Sequence, residues 1–420
     1  MPFNWDEIKT VESSATKSHV DVEKYLGKYN RKIKKTKQLG DAFMYVLDAC
    51  VFDPSHNNGD ASIIQKNDGK LRYQCFHDSC KDKIWKDARK IISGDDNIKE
   101  FTTVINNVKE QDLSIESFLD TPEMILQDYN QSYIRIPFAG DNLYGLQTAM
   151  GGGLAGGRLY ILGGIPSTGK TVLLNNIADN ICLNNYPVLF FSYDDGRAEL
   201  RYRTFARFSD HCIEDFNLKM VEEIGAVSSI PSITKIMPNK YIFQKNIPIK
   251  QWPELIEQFM LRHDNSPVIM VDYLRKIQTD NHTKEERLRV DDILGKLTSL
   301  AKDYNIPVVA ISELARDSYR SGQKLSMAST KESGGIEYEA SWLGILASVE
   351  EKDGNYVLKE NWENIIEHDG NVDLIIFKAK RGTGSTGKIQ LKVDKDKMTV
   401  TDRCNGATKS RSAKKSQFGF

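Results

Sequence analysis

The octapeptide Gly164-Ile165-Pro166-Ser167-Thr168-Gly169-Lys170-Thr171 fits the pattern G-x-x-x-x-G-K-[ST]. The chemistry of that pattern is phosphate binding. Its glycines let backbone N–H groups close around phosphate oxygens, its lysine reaches the β- and γ-phosphates, and its last hydroxyl is a ligand for Mg²⁺. The flanks agree: Leu159–Leu162 reads as an apolar strand, and Val172–Cys182 as a helix whose N-terminus favours an anion. Gly164, Pro166, Ser167, Thr168, Gly169, Lys170 and Thr171 are therefore expected to hold ATP. The metal needs a second oxygen ligand. Val268-Ile269-Met270-Val271-Asp272 is an apolar strand ending in a carboxylate, so Asp272 is expected to join Thr171 on Mg²⁺. The attacking water needs a base. The strand Val188–Ser192 runs into Tyr193-Asp194-Asp195, where Asp194 is the expected base and Asp195 the alternative.

A second group of residues suits a different ion. Cys50-x5-His56 precedes Cys75-x-His77-x2-Cys80, and thiolate and imidazole ligands are what Zn²⁺ takes tetrahedrally. Cys50, His56, Cys75 and Cys80 are the expected ligands, with His77 as the substitute. Ser62–Gln65 and Lys70–Gln74 read as a hairpin across Asn67-Asp68-Gly69 between the two ligand pairs. Six cysteines in 420 residues are too sparse for a disulfide framework, so the clustering of Cys50, Cys75 and Cys80 needs a local explanation, for which buried cysteines beside surface histidines are the alternative to a metal.

Positive charge is local. Residues 314–331 carry Arg316, Arg320, Lys324 and Lys331 against the one acid Asp317, in a Ser-, Gly- and Thr-rich loop between core strands. Its local positive charge makes it a candidate for nucleic-acid phosphates. Arg275, Lys276 and Lys284 form a second candidate, and the last residues, with Lys409, Arg411, Lys414 and Lys415, a third.

The elements that position these groups are compact apolar runs separated by helical stretches. They lie at 158–162, 187–192, 268–271, 307–311 and 374–377. They read as an α/β fold with a buried, mostly parallel sheet, closed by a β-hairpin from 374–380 and 388–393. Four regions follow: a zinc-ribbon-like module over 1–98, a linker with a docking helix over 99–135, the α/β domain over 136–404, and a flexible basic tail over 405–420. The chain has 57 Lys+Arg against 58 Asp+Glu, and this near-neutral total does not exclude a nucleic-acid partner when the field is concentrated in a few segments. No apolar run approaches the ~20 residues of a membrane span, and the N-terminus lacks the basic-then-apolar order of a signal peptide, so a cytoplasmic setting and no membrane contact are expected.

Taken in order, residues 136–395 resemble the RecA-like ATPase core of DnaB-type replicative helicases. Leu154-Ala155-Gly156-Gly157-Arg158-Leu159 and Pro166–Thr171 match the family's phosphate-loop entry. Phe191-Ser192-Tyr193-Asp194 stands where the family has Ser-Leu-Glu, which puts Asp194 on the catalytic glutamate and Arg203 near the arginine of the next helix. Asp272-Tyr273-Leu274 matches Asp-Tyr-Leu. Ser312-Glu313-Leu314-Ala315-Arg316 stands where the family has Ser-Gln-Leu-x-Arg, so Glu313 replaces a γ-phosphate-sensing glutamine. Glu332-Ser333-Gly334-Gly335-Ile336-Glu337 matches the stretch after the family's DNA-binding loop. Lys378-Ala379-Lys380-Arg381-Gly382 resembles the hairpin that supplies an arginine finger in trans, with Arg381 as the finger and Lys378 or Lys380 as its companion. The resemblance implies a ring, most often a homo-hexamer, that hydrolyses ATP at subunit interfaces to move along single-stranded DNA during replication. Residues 50–80 are similar to the zinc modules of phage primases, although the spacing differs. With no room before the ATPase for a primase catalytic domain, that module is expected to contact DNA, a primase or a helicase loader. The rival reading is a RecA/RadA-like ATPase that acts as a recombination mediator or switch without unwinding.

Overall fold

The computed structural model describes residues 18–104 and 135–403, leaving out 40–41, 58, 67–68, 81, 95, 97, 264, 281–284, 316–317, 319–321, 332, 361, 365–368 and 381 within those spans. Arg316, Arg320, Arg381, Lys284, the helix expected near Pro122–Tyr129 and the basic tail therefore lie outside the described residues. The chain divides into two compact units, Met1–Asp128 and Tyr129–Phe420.

The first unit opens with β1 (Ser18–Val20) and α1 (Val22–Lys28), whose first turn is capped by Asp21 accepting the Lys24 N–H at 2.9 Å. Next come β2 (Ile33–Leu39), β3 (Ala42–Leu47), β4 (Ala61–Lys66), β5 (Leu71–Cys75), α2 (Trp85–Ser93) and β6 (Thr102–Val104). The four strands β2-β3-β4-β5 form an antiparallel sheet in that order. The expected hairpin is thus one half of a larger sheet. β6 pairs with β1, so the unit continues past residue 98, the boundary expected from composition. Its core gathers Tyr25, Leu26, Leu47, Ile63 and Tyr73 around the buried Cys50, Cys75 and Cys80.

The second unit contains β7 (Arg135–Ile136), α3 (Tyr144–Ala149), β8 (Leu154–Ala155), β9 (Leu159–Gly164), α4 (Lys170–Leu183), β10 (Val188–Ser192) and α5 (Arg197–Phe208). After three short helices between 213 and 236 follow β11 (Lys240–Phe243), α6 (Trp252–Arg262), β12 (Val268–Asp272), α7 (Glu286–Asp303) and β13 (Val308–Glu313). The remainder is α8 (Ser333–Glu339), β14 (Trp342–Ala347), β15 (Val349–Lys352), β16 (Asn355–Leu358), β17 (Asn371–Ala379), β18 (Gly387–Asp394) and β19 (Thr399–Asp402). Nine strands form one sheet in the order β11-β10-β12-β13-β9-β14-β17-β18-β19. The first six run parallel and the last three add antiparallel, so the expected parallel sheet with a terminal hairpin is present. Every residue of β9, β10, β12 and β14 is buried, as strands covered on both faces must be.

Helix α4 is covered on all sides rather than amphipathic: every residue from Leu173 to Cys182 is buried. Its polar residues are therefore obliged to find partners. Asp179 accepts hydrogen bonds from the Lys240 ammonium at 2.7 Å and the Thr204 hydroxyl at 3.0 Å. Its other oxygen lies 3.6 Å from the Arg207 guanidinium. Asn180 donates to the carbonyls of Phe138 and Ala139, and Asn176 donates to Met398 O while accepting the Val400 N–H. One helix face is thus bonded to α5, β11 and β19. Replacing Asp179 by Ala would leave the Lys240 and Arg207 charges buried without their carboxylate. We expect D179A to lose about 3–5 kcal/mol of stability, read as a lower midpoint in chemical denaturation of the full chain.

Candidate functional site

The carboxyl ends of β9, β10, β12 and β13 meet in a crevice, the position where open α/β sheets bind ligands. The register sets this meeting point, since Ser192 stands opposite Asp272 and Glu313 opposite Gly164. A cavity of about 510 Å³ opens there, lined by Pro166–Val172, Asp194, Arg203, Asp272, Tyr273, Ile311, Glu313, Val393, Lys395 and Met398.

The phosphate loop takes a shape that most residues resist. Ser167 has φ 64° and Gly169 φ 85°, so the chain turns through two left-handed residues directly before α4. Thr168 ties the turn shut by donating to Ile165 O at 2.8 Å. Lys170 folds back and donates to Gly164 O and Ile165 O at 3.0 and 2.7 Å. The helix N-terminus, its free N–H groups and this ammonium together suit a polyphosphate.

The Thr171 hydroxyl donates to Asp272 Oδ2 at 2.7 Å. Two hard oxygens from α4 and β12 therefore converge on one point of the cavity, which fits a Mg²⁺ ion that keeps most of its waters. Burial pushes the Asp272 carboxyl up to about 6; the Asp195 and Asp194 charges push the same way, while Thr171 and Lys170 oppose. Burial also lowers the Lys170 ammonium to about 8, against the pull of Asp272, Glu313 and Asp194. The cavity wall sets Asp194, Asp272 and Glu313 against Lys170, Arg203 and Lys395, so its cations are matched by carboxylates and a divalent metal supplies the further positive charge a polyphosphate needs.

The two candidate bases differ in their surroundings. Asp195 accepts a 2.5 Å hydrogen bond from Arg203, and its backbone carbonyl accepts the Ser192 hydroxyl. Asp194 lines the cavity and is exposed. Asp195 is occupied by a guanidinium whereas Asp194 opens on the cavity, so this arrangement favours Asp194 as the carboxylate that meets a water there.

Sequence reasoning missed Val393, Lys395 and Met398. They come from the end of β18 and the turn that follows it, more than two hundred positions along the chain from Lys170, and no local pattern marks them. The turn is fixed by Lys397, whose ammonium donates to the carbonyls of Ser209, Asp210 and His211 beyond the end of α5. Gly169 also lies against it, since a Cβ there would meet Val393 at 3.1 Å.

The described basic residues are anchored to neighbouring elements. Lys324 forms a bridge with Val357 of β16, and the Lys331 N–H donates to Glu313 O at 3.0 Å. Lys378 and Lys380 donate to the carbonyls of Glu337 and Tyr338, and neither lines the nucleotide cavity.

In the first unit, Cys50, His56, Cys75 and Cys80 bring their ligand atoms within 4.8 Å of one another. Cys50 Sγ lies 3.7 Å from Cys80 Sγ, and His56 Nδ1 lies 3.7 Å from both Cys75 Sγ and Cys80 Sγ. The edges of a tetrahedron with Zn–S bonds of about 2.3 Å are about 3.8 Å, so the donor set fits Zn²⁺. His77 is not in this group; it stacks on the His56 ring with centroids 3.6 Å apart and reaches Asp60. Two supporting residues escaped the sequence reading. Asp53 Oδ2 lies 3.4 Å from His56 Nε2, which leaves Nδ1 as the ligand nitrogen. The Tyr73 hydroxyl accepts the Val51 N–H and lies 3.1 Å from Cys50 Sγ.

Comparison with known proteins agrees with this geometry. Residues 142–402 match the DnaB-like helicase C-terminal domain family. The chain is 26% identical to a probable replicative DNA helicase of Trieres chinensis, over 70% of this chain and 64% of that protein. It is 30% identical to the replicative DNA helicase DnaB of Buchnera aphidicola, over 45% of this chain and 42% of that one. The chain thus spans 64% and 42% of these relatives' length. Among solved structures, the ATPase domain of G40P superposes with a TM-score of 0.56 at 20% identity, covering 69% of this chain and 99% of that one. A DnaB-like replicative helicase described with its primase interactions gives 0.55 at 20% identity, covering 67% of each chain. The sheet order, the phosphate loop and the family match converge: this chain belongs to the DnaB-like helicase C-terminal domain family.

Proposed function

We propose that the chain is an ATP-driven DNA helicase that works as a ring, hydrolysing Mg²⁺–ATP between subunits while it moves on single-stranded DNA during replication. The observation that carries this reading is the convergence of Lys170, Thr171, Asp194 and Asp272 at the carboxyl edge of a sheet with the family's fold. Lys170 and the loop N–H groups would hold the phosphates, and Thr171 and Asp272 the Mg²⁺, which screens charge on the transferred phosphoryl group. Asp194 orients and deprotonates the attacking water, and Asp195 holds Arg203 at the cavity wall. Arg381 completes the site of a neighbouring subunit, and Arg316, Arg320, Lys324 and Lys331 face the nucleic-acid backbone. A cytoplasmic location fits this role; among the described residues no helix is long and apolar enough to cross a membrane. The N-terminal unit is a zinc-stabilised module, with DNA, a primase or a loader as its partner.

Lys170→Ala should reduce single-stranded-DNA-stimulated ATP hydrolysis by about 10²–10³-fold, the scale of losing one preorganised charge. Separation of a forked duplex by the wild-type chain, abolished in K170A, is the decisive assay. Equal hydrolysis without strand separation favours the recombination-mediator reading. Asp194→Asn is expected to lower kcat by at least about a hundredfold with nucleotide affinity retained, while Asp195→Asn has the smaller effect; steady-state kinetics of both variants separate the two carboxylates. Elemental analysis of the purified chain should find one zinc per protomer, and none in Cys75→Ser. A chelator should lower the melting temperature of the wild type and leave that of C75S unchanged.

A further inference from the structure

The turn between β17 and β18 is pinned at two places. The Lys380 N–H donates to Ser341 O at 2.8 Å, directly before β14. Further on, the Ser385 N–H donates to Ala149 O at 3.0 Å, at the end of α3. Gly384 has φ 103°, and a Cβ there would stand 1.8 Å from Ala149 O, so this close approach requires glycine. Between the two pins lies Thr383, which is fully buried. Its N–H donates to Lys380 O at 2.9 Å. Its hydroxyl donates to the same carbonyl at 2.7 Å and reaches Ser341 O at 3.2 Å. Ser341 in turn donates its N–H to Leu159 O. Thr383 thus ties the turn, through Ser341, to the start of β9, the strand that leads into the phosphate loop.

Neither carbonyl depends on the hydroxyl for a partner. Lys380 O also accepts the Thr383 N–H, and Ser341 O also accepts the Lys380 N–H. Removing the hydroxyl therefore orphans no buried carbonyl, but it loosens the direction in which the chain leaves Lys380. That direction matters here, because a group that must meet the phosphates of another subunit cannot adjust its own approach once the turn that carries it is fixed. A misplacement of about 1 Å can cost about a hundredfold in rate. Resting on the proposed action of this hairpin on a neighbouring subunit's nucleotide, we propose that Thr383 is a positioning residue for that action. Its buried hydroxyl sets the turn that presents the hairpin's basic residues, and it touches neither nucleotide nor metal itself.

The test is steady-state ATP hydrolysis by the full chain. In Thr383→Val, kcat should fall about 10- to 100-fold with KM for ATP within about twofold of the wild type, because the phosphate loop that binds the nucleotide is unchanged. Thr383→Ser keeps the hydroxyl and should stay within about threefold of the wild type. Gly384→Ala, which displaces the same turn from its other pin, should also lower kcat with KM kept. Co-assembly supplies a readout that a purely structural role would not move. Lys170→Ala subunits lack the phosphate-binding lysine but carry an intact hairpin, so co-assembling them with T383V should raise hydrolysis per T383V subunit, read without nucleic acid. An unchanged kcat in T383V or in G384A, a T383S as slow as T383V, or failure of T383V to form the wild-type oligomer overturns the inference and leaves the proposed function standing. So does the absence of a gain for T383V under conditions where Arg381→Ala gains from K170A. If R381A gains nothing either, the hairpin does not act between subunits, and that part of the proposed function falls together with this inference.

Discussion

The register of the parallel strands is the constraint on which the rest depends. Five parallel pairings align β11, β10, β12, β13, β9 and β14 so that their carboxyl ends open on one edge. A slip of one residue in β12 would turn Asp272 to the opposite face and separate it from Thr171. The register is held by burial, because these strands have no solvent face to tolerate a slip. It is also held through α4, whose polar side is bonded to α5, β11 and β19. The helix that begins at the phosphate loop is thus fixed at several points along its length, and the loop at its N-terminus inherits that fixity.

The electrostatics of the crevice follow from the same burial. Removing Lys170 and Asp272 from water weakens the charge on each, and the carboxylates of the cavity wall, Asp194, Asp272 and Glu313, offset its cations, Lys170, Arg203 and Lys395. Such a site is poorly matched to a bare polyphosphate and better matched to one that arrives with a divalent cation. Glu313 extends the argument outward, since its charge is shared between the cavity and two cations on the neighbouring segments.

What was legible in the sequence was what is local in the chain. The phosphate loop and its flanking strand and helix are contiguous, and Asp272 closes an uninterrupted apolar run, so short patterns were enough. The four residues of the Cys/His cluster were legible because they fall in two short groups, Cys50 with His56 and Cys75 with Cys80, of recognisable spacing. Other elements were hidden by their composition. β2, with the run Ile33-Lys34-Lys35-Thr36-Lys37-Gln38-Leu39, lacks the apolar alternation of a half-buried strand and carries the lysines typical of an edge. β14 is interrupted by Gly344, which reads as a strand breaker. In the structure it is a packing requirement, because a Cβ there would come within 2.3 Å of the Trp342 ring. Met398, Lys395, Asp53 and Tyr73 act only through proximity created by the fold, and the ion pairs of Glu313 join three segments that are separate in sequence.

The central claim is that the crevice at the strand ends binds a metal–nucleotide complex. Calorimetric titration of the full chain with a non-hydrolysable ATP analogue, in Mg²⁺ and again in excess chelator, tests it most directly. The account predicts one site per chain whose affinity falls at least about tenfold when Mg²⁺ is removed, because Thr171 and Asp272 then lose the cation that joins them to the phosphates. Binding of equal strength with and without Mg²⁺, or no binding at all, would contradict it.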